Sequence, residues 1–253
     1  MNNYEEIILQ LSKLVIKSYD KIKNDKKKNF SIEKNLKRDV KIGADRRLEK
    51  LIIEYLLDNS TFNILSEESG YIKNKNKNSK YKNYRWIIDP LDGSFNFLHD
   101  IPINCISIAL WERDKPVLGI IYDFNRNELF NGIVGKGAWL NGESIKTSMS
   151  DKINQSVLCT GFPADSNFSN DTLNNFCRNI RNFKKIRLLG SAALSLAYVA
   201  CGRADIYMED GIKIWDVAAG LAIVSAAGGH IEYESMKKKN CMKVIASNAL
   251  LKL

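Results

Sequence analysis

Trp86-Ile87-Ile88-Asp89-Pro90-Leu91-Asp92-Gly93-Ser94-Phe95-Asn96-Phe97 is an apolar run that ends in two carboxylates three positions apart. It predicts a strand that delivers Asp89 and Asp92 at its end, with Pro90 fixing φ between them. Gly93 and Ser94 follow, where a helix start is expected. Such a strand end offers two hard oxygen ligands, and backbone N–H groups that can face an anion. Taken alone, the stretch is also an ordinary Asp-Pro-x-Asp-Gly turn.

Two further segments repeat the pattern. Ile64-Leu65-Ser66-Glu67-Glu68-Ser69 ends a short apolar strand with paired carboxylates, which singly would be a solvated turn. Ile214-Trp215-Asp216-Val217-Ala218-Ala219-Gly220 sets an aspartate before an apolar helical run, where it could serve simply as a helix N-cap. The conjunction carries the argument. Glu67, Asp89, Asp92 and Asp216 together are enough for a site of two or three metal ions. Mg²⁺ suits so sparse a set, because it takes few protein carboxylates and keeps waters and substrate phosphate oxygens. Two such ions about 4 Å apart can activate a water and neutralise a phosphoryl group and its leaving alkoxide.

Outward from these motifs, residues 4–22 and 45–57 carry apolar side chains at helical spacing. Short strands are expected at 62–65, 85–88, 105–111, 117–122 and 128–134, with hairpin punctuation at 135–142. From about residue 151 strands and helices alternate: strands at 156–160, 205–208, 231–233 and 243–246, helices at 171–183, 192–201 and 216–227. An antiparallel, helix-flanked part (1–150) and an alternating part (151–253) predict a layered α/β protein.

The composition narrows the class. A chain of 253 residues with 45% hydrophobic content can bury a large core. No run of about eighteen apolar residues predicts a membrane-spanning helix. The first residues lack the basic-then-apolar pattern of a secretory signal. Cys105, Cys159, Cys177, Cys201 and Cys241 are odd in number and contain no C-x-x-C pair, which suits a reducing cytoplasm. The net charge of +9 raises the question of nucleic acid. The lysines, however, gather at 21–41, 73–82 and 237–243 among Asn and Ser, poor in stacking aromatics, and read as solvated loops.

Other phosphoryl chemistries lack their residues. No cysteine is followed six positions later by arginine, no two aspartates stand two apart, and no Gly-Lys-Ser/Thr loop occurs. Gly-x-Ser-x-Gly is missing too, and His99 and His230 are too few for a histidine-rich metal site.

Glu67-Glu68-Ser69, Asp89-Pro90-Leu91-Asp92-Gly93-Ser94 and Trp215-Asp216-Val217-Ala218-Ala219-Gly220 resemble, in order and approximate separation, the three signatures of the inositol monophosphatase family. Residues 34–45, 135–142 and 187–202 look similar as well, so the resemblance covers nearly the whole chain. It implies a layered αβαβα sandwich, the sugar-phosphatase fold, usually as a homodimer, and Mg²⁺-dependent hydrolysis of a small polyol or sugar phosphate, commonly inhibited by lithium. By resemblance, Glu67, Asp89, Asp92, Asp216 and the Leu91 carbonyl are metal ligands, with Glu67 also serving catalysis. Asp45 and Ser94 look like the pair that orients the attacking water, and the Gly93 and Ser94 amides like the phosphate holders. Gly190, Ser191, Ala192 and Glu209 look like groups facing the alcohol portion. Ser94 stands where most members carry threonine, and Phe95 where a second threonine is usual. Gly-Ser-Phe-Asn-Phe is similar to archaeal members acting on both inositol phosphate and fructose 1,6-bisphosphate. The resemblance thus leaves inositol 1-phosphate, fructose 1,6-bisphosphate or a nucleotide 3′-phosphate as substrates. It also leaves an accessory role in RNA transcription complexes, which some bacterial relatives play.

Overall fold

The computed structural model describes residues 4–23, 32–36, 39–75, 83–162 and 168–251; for 22–23, 32–36 and 39–42 only the backbone is described. The chain opens with α1 (Tyr4–Lys23), β1 (Ile32–Leu36), β2 (Asp39–Ile42) and α2 (Gly43–Asn59). The large sheet then uses β3 (Asn63–Ser66), β4 (Gly70–Ile72), β5 (Tyr84–Asp92), β6 (Cys105–Glu112), β7 (Lys115–Asp123), β8 (Glu128–Ile133), β9 (Gly137–Leu140) and β10 (Glu143–Ile145), with the short helix α3 (Ser94–Leu98) after β5. Its strand order is β10-β9-β8-β7-β6-β5-β3-β4, antiparallel except where β3 runs parallel to β5. The second part contains β11 (Val157–Thr160), α4 (Asn170–Ile180), β12 (Lys185–Arg187), α5 (Ala192–Ala200), β13 (Ile206–Lys213), α6 (Ile214–Ala226), β14 (His230–Ser235) and β15 (Cys241–Ser247). These strands form a sheet of order β12-β11-β13-β15-β14, parallel on the β12-β11-β13 side and antiparallel on the other.

Side-chain alternation stacks these elements into layers. Along β6, Ile106, Ile108 and Leu110 enter a core with α1 and α2, whereas Cys105, Ala109 and Trp111 enter one with α5 and α6. A strand buried on both faces reads as a continuous apolar run, as this one does. The small sheet repeats the device: Cys159, Tyr207 and Val244 face α5 and α6, while Leu158, Ile206 and Ile245 face an outer cluster that includes Ile180 of α4. The result is the expected αβαβα sandwich. Helix α6 is apolar on every side because sheets lie against two of its faces and α5 against a third. It approaches the large sheet so closely that a Cβ at Gly119 would collide with the Ala219 carbonyl. Trp111 Nε1 donates to the Ala218 carbonyl at 3.2 Å, and Trp111, Ile121, Val217 and Leu221 share one core. Truncating a side chain such as the fully buried Ile108 to alanine would cost roughly 2–5 kcal/mol. Among the described residues no helix is long and apolar enough to cross a membrane.

The structure departs from the sequence expectations in the short elements. The lysine-rich stretch 21–41 is not simply a loop, since β1 and β2 pair within it; residues 24–31, 37–38 and 76–82 of the lysine-rich stretches lie outside the described residues. The punctuation at 135–142 includes a strand, β9, whose hairpin with β10 turns on Asn141 and Gly142, both at positive φ (51° and 88°). That is the signature of a two-residue type I′ connection. Strand β13 runs five residues past the expected 208, to Lys213, where α6 begins directly.

Candidate active site

Among the described residues, segments from α2, β5, α5, β13, α6 and the turn after β3 converge on one group of side chains. Asp89 pairs with Ser107 and Asp92 with Cys105, so β5 carries one residue more than β6 between these pairs. This bulge at Pro90-Leu91 bends the strand end and re-aims the two carboxylates. The turn after β3 brings Glu67, whose N–H donates to the Ile88 carbonyl at 3.2 Å. The first turn of α6 brings Asp216. Carboxylate oxygens of Glu67, Asp89 and Asp216 all lie within 4.8 Å of one another.

Asp216 is not the N-cap of α6. Lys213 holds that position, and Asp216, three residues on, accepts a hydrogen bond from the Lys213 backbone. Enclosure pushes the Asp216 carboxyl well above its usual range, and the charges of Glu67, Asp92 and Glu209 push it further. Asp89 is buried; desolvation, then the charge of Glu67, raise its carboxyl strongly, against a hydrogen bond from the Leu91 N–H at 3.0 Å. Carboxylates so arranged repel one another unless protons or cations intervene. The donor set is all oxygen, which fits a hard divalent cation and gives a soft one no sulfur or nitrogen.

Asp92 lies behind this cluster. Its Oδ2 accepts Ser191 Oγ at 2.5 Å and the Ala193 N–H at 2.8 Å, with Cys105 Sγ at 3.9 Å. Burial lifts its carboxyl to about 6, and the hydrogen bonds from Ser191, Ala193 and Ala192 oppose that rise. Ser191 is itself the N-cap of α5, accepting the Leu194 N–H, so its hydroxyl is committed to the fold and to Asp92. The α5 N-terminus thereby holds a carboxylate of the site.

Asp45 sits in the first turn of α2, at its third residue, 4% exposed. Ser94 Oγ lies 3.1 Å from Asp45 Oδ1 and 2.9 Å from the Leu91 carbonyl oxygen. Gly93 N-caps α3 at φ 86°, and a Cβ there would strike the Ile103 carbonyl, so the turn requires glycine. Glu209 is on β13; Tyr207 donates to its Oε2 at 2.9 Å. Burial raises the Glu209 carboxyl to about 7, with Tyr207 opposing and Asp92 adding to the rise. Gly190, at φ 71°, follows Leu189, whose carbonyl accepts Asn96 Nδ2 at 2.9 Å. The same Asn96 nitrogen donates to the Ile103 carbonyl at 2.8 Å, tying the turn after β5 to the approach to α5.

Three contributors escaped the sequence reading: Asn96, Tyr207 and Glu49. Glu49 is buried on α2, and its carboxylate accepts both the N–H and the hydroxyl of Ser69. Its position four residues after Asp45 puts it on the same helix face, a signal available in the sequence.

The model of the inositol monophosphatase family matches residues 3–248. The chain is similar to Nus factor SuhB of Xylella fastidiosa, 42% identical over 190 residues, 74% of this chain and 66% of that protein. It is also similar to the inositol-1-monophosphatase of Synechocystis sp., 40% identical over 202 residues, 78% of this chain and 68% of that one. The chain therefore spans about two thirds of the length of these curated relatives. Among solved structures, extragenic suppressor protein SuhB from Bartonella henselae superposes with a TM-score of 0.85 at 33% identity, covering 97% of this chain and 95% of that one.

Proposed function

Because the chain belongs to the inositol monophosphatase family of phosphoric monoester hydrolases, we propose that it hydrolyses a small polyol or sugar phosphate, with inositol 1-phosphate the first candidate, in the presence of Mg²⁺. The observation that carries this reading is the convergence of Glu67, Asp89 and Asp216 within 4.8 Å. Two or three cations would be held there by Glu67, Asp89, Asp92, Asp216 and the Leu91 carbonyl. Bound Mg²⁺ would supply Lewis-acid chemistry, acidifying a water and neutralising phosphoryl oxygens.

The chain's own groups handle orientation and protons. When Ser94 donates its one hydroxyl proton to Asp45, its lone pairs are left to accept from the attacking water. The Asp45 carboxylate is then the destination of the proton that the water loses, as a general base. The Gly93 and Ser94 amides, at the start of α3, would hold phosphate oxygens. On the alcohol side, Glu209 Oε1, the oxygen not taken by Tyr207, would accept substrate hydroxyls, with Gly190 and Ala192 alongside. Ser191 would contribute through Asp92.

Phosphate release from a panel of inositol, fructose and nucleotide phosphates, with Mg²⁺ and with EDTA, tests the reading. Release confined to Mg²⁺ and strongest on a polyol monophosphate is expected; undiminished release in EDTA would sink it. Preference for fructose 1,6-bisphosphate would favour the alternative that the Gly-Ser-Phe-Asn-Phe turn supports. The resemblance further supports a homodimeric, cytoplasmic enzyme inhibited by millimolar lithium, which light scattering, fractionation and lithium titration would check. A second reading, service in a transcription complex, draws on the relative named Nus factor SuhB and on the net charge of +9. A salt-sensitive gel shift of RNA would support it.

A further inference from the structure

The Glu67 turn is held from two directions. On one side the Glu67 N–H donates to Ile88 of β5. On the other, Glu49 Oε1 accepts the Ser69 N–H at 2.9 Å and Glu49 Oε2 accepts Ser69 Oγ at 2.7 Å. Glu49 is 4% exposed, and among the described residues its carboxylate, taken out of water, meets one serine. Desolvating a carboxylate is costly, and a turn needs no such anchor merely to close. The anchor does something more specific here. Residues 67–69 connect β3 to β4, and β4 is a three-residue edge strand with no fully buried residue, a weak support for a ligand. Helix α2 is a firm one, packed through Leu48, Ile52 and Leu56.

We propose that Glu49 is a positioning residue for cation binding: by gripping Ser69 it fixes the turn so that the Glu67 carboxylate stays facing Asp89 and Asp216. This rests on the cation-dependent reading of the site given above. The same helix face then serves twice, with Asp45 beside Ser94 and Glu49 one turn further on beneath the Glu67 turn. Glu49 touches neither cation nor substrate in this scheme. It acts on the affinity of the site through Glu67.

Calorimetric titration of Mg²⁺ into the full chain, without substrate, tests this, together with the Mg²⁺ concentration for half-maximal phosphate release. Glu49→Ala should weaken Mg²⁺ binding about tenfold or more, the usual effect of losing a group that orients a ligand. Ser69→Ala, which keeps the backbone bond, should weaken it less but in the same direction. Glu49→Gln should recover most of the loss, since its amide can accept the N–H and donate to the hydroxyl. A residue serving stability alone would lower the melting temperature and leave the Mg²⁺ affinity of the folded protein unchanged. That result in Glu49→Ala overturns the proposal; should Glu49→Ala fail to fold, unchanged affinity in Ser69→Ala overturns it instead. A wild-type chain that binds no divalent cation overturns both this inference and the reading beneath it, whereas normal wild-type binding with indifferent variants overturns this one alone.

Discussion

Ser94 Oγ lies 3.1 Å from Asp45 Oδ1, a contact that joins residues 49 positions apart across the start of α2 and the start of α3. Neither residue needs the other for its local structure. Gly93 already caps α3, and Asp45 lies inside the first turn of α2 rather than ahead of it. The contact therefore suits the role proposed for the pair, to orient a water and take its proton.

Asp45→Asn separates those roles. The amide keeps the size of the side chain and an oxygen for the Ser94 hydroxyl, but it is a far weaker base. Turnover should fall about a hundredfold or more while the melting temperature stays within a few degrees. Ser94→Ala should behave alike, and the double variant should be little worse than either single. Steady-state kinetics with thermal melts decide it; a fully active Asp45→Asn would reduce Asp45 to a favourable charge at a helix start, worth about 0.3–1 kcal/mol.

Asp89→Asn opposes function and stability. Burial and the neighbouring charges hold the Asp89 carboxyl well above its usual range, so ionising it costs the metal-free fold free energy. The variant should lose Mg²⁺-dependent phosphate release by about a hundredfold or more. Metal-free, it should melt no lower than metal-free wild type at pH 7.5. Calorimetry in EDTA measures the second effect, and a metal-free variant melting well below wild type would mean that Asp89 holds the fold together by its hydrogen bond to Leu91.

Much of the convergence at this candidate site was legible because its carboxylates end apolar elements. Trp86-Ile87-Ile88 could hardly be anything but a buried strand, and its carboxylates stand where that strand stops. The bulge at Pro90-Leu91 was not legible, since a register shift against β6 is a property of two strands. Nor was the capture of Asp92 by Ser191 and Ala193, about a hundred residues away, which depends on α5 being wedged between the sheets. Strands β4, β9, β10 and β12 are three or four residues long, too short to display a period of two. In β1, Ile32-Glu33-Lys34-Asn35-Leu36 sets three polar residues in a row with no period of two, yet pairing with β2 supplies the backbone bonds that composition does not reveal.

Glu209→Gln should discriminate between substrates. Tyr207 donates to Oε2, which leaves Oε1 to accept from a substrate hydroxyl. The amide can present its oxygen to only one of these donors. Use of inositol phosphate should therefore fall about tenfold or more relative to a simple aryl phosphate, the scale of a lost charge-assisted hydrogen bond. Comparing kcat/KM on the two substrates checks it; equal losses would make Glu209 a partner of Tyr207 and nothing more.

The metal-free protein should lose stability as pH rises from about 5 to 7.5. Burial lifts Asp92 from 3.8 to about 6 and Glu209 from 4.5 to about 7. Between the unfolded and folded values the native state binds more protons than the unfolded chain, so the slope of unfolding free energy against pH is negative. The penalty is absent below the unfolded values and complete above the folded ones. A shift of the size given for Glu209 corresponds to about 3 kcal/mol at about 1.4 kcal/mol per pKa unit. At about 2–4 °C per kcal/mol for a chain of this size, the melting temperature in EDTA should drop on the order of 10 °C across that window. Saturating Mg²⁺ should remove the part of the drop that comes from Asp92, where a cation takes the place of the proton, and leave the Glu209 part largely in place. Glu209→Gln in EDTA should match wild type near pH 5 and melt above it at pH 7.5, since the amide never has to ionise. Differential scanning calorimetry across pH, with and without Mg²⁺, gives all three comparisons. A melting temperature in EDTA that is flat or rising over this window would mean that these carboxylates are better solvated than their burial implies, and that the site holds its charges without needing a cation.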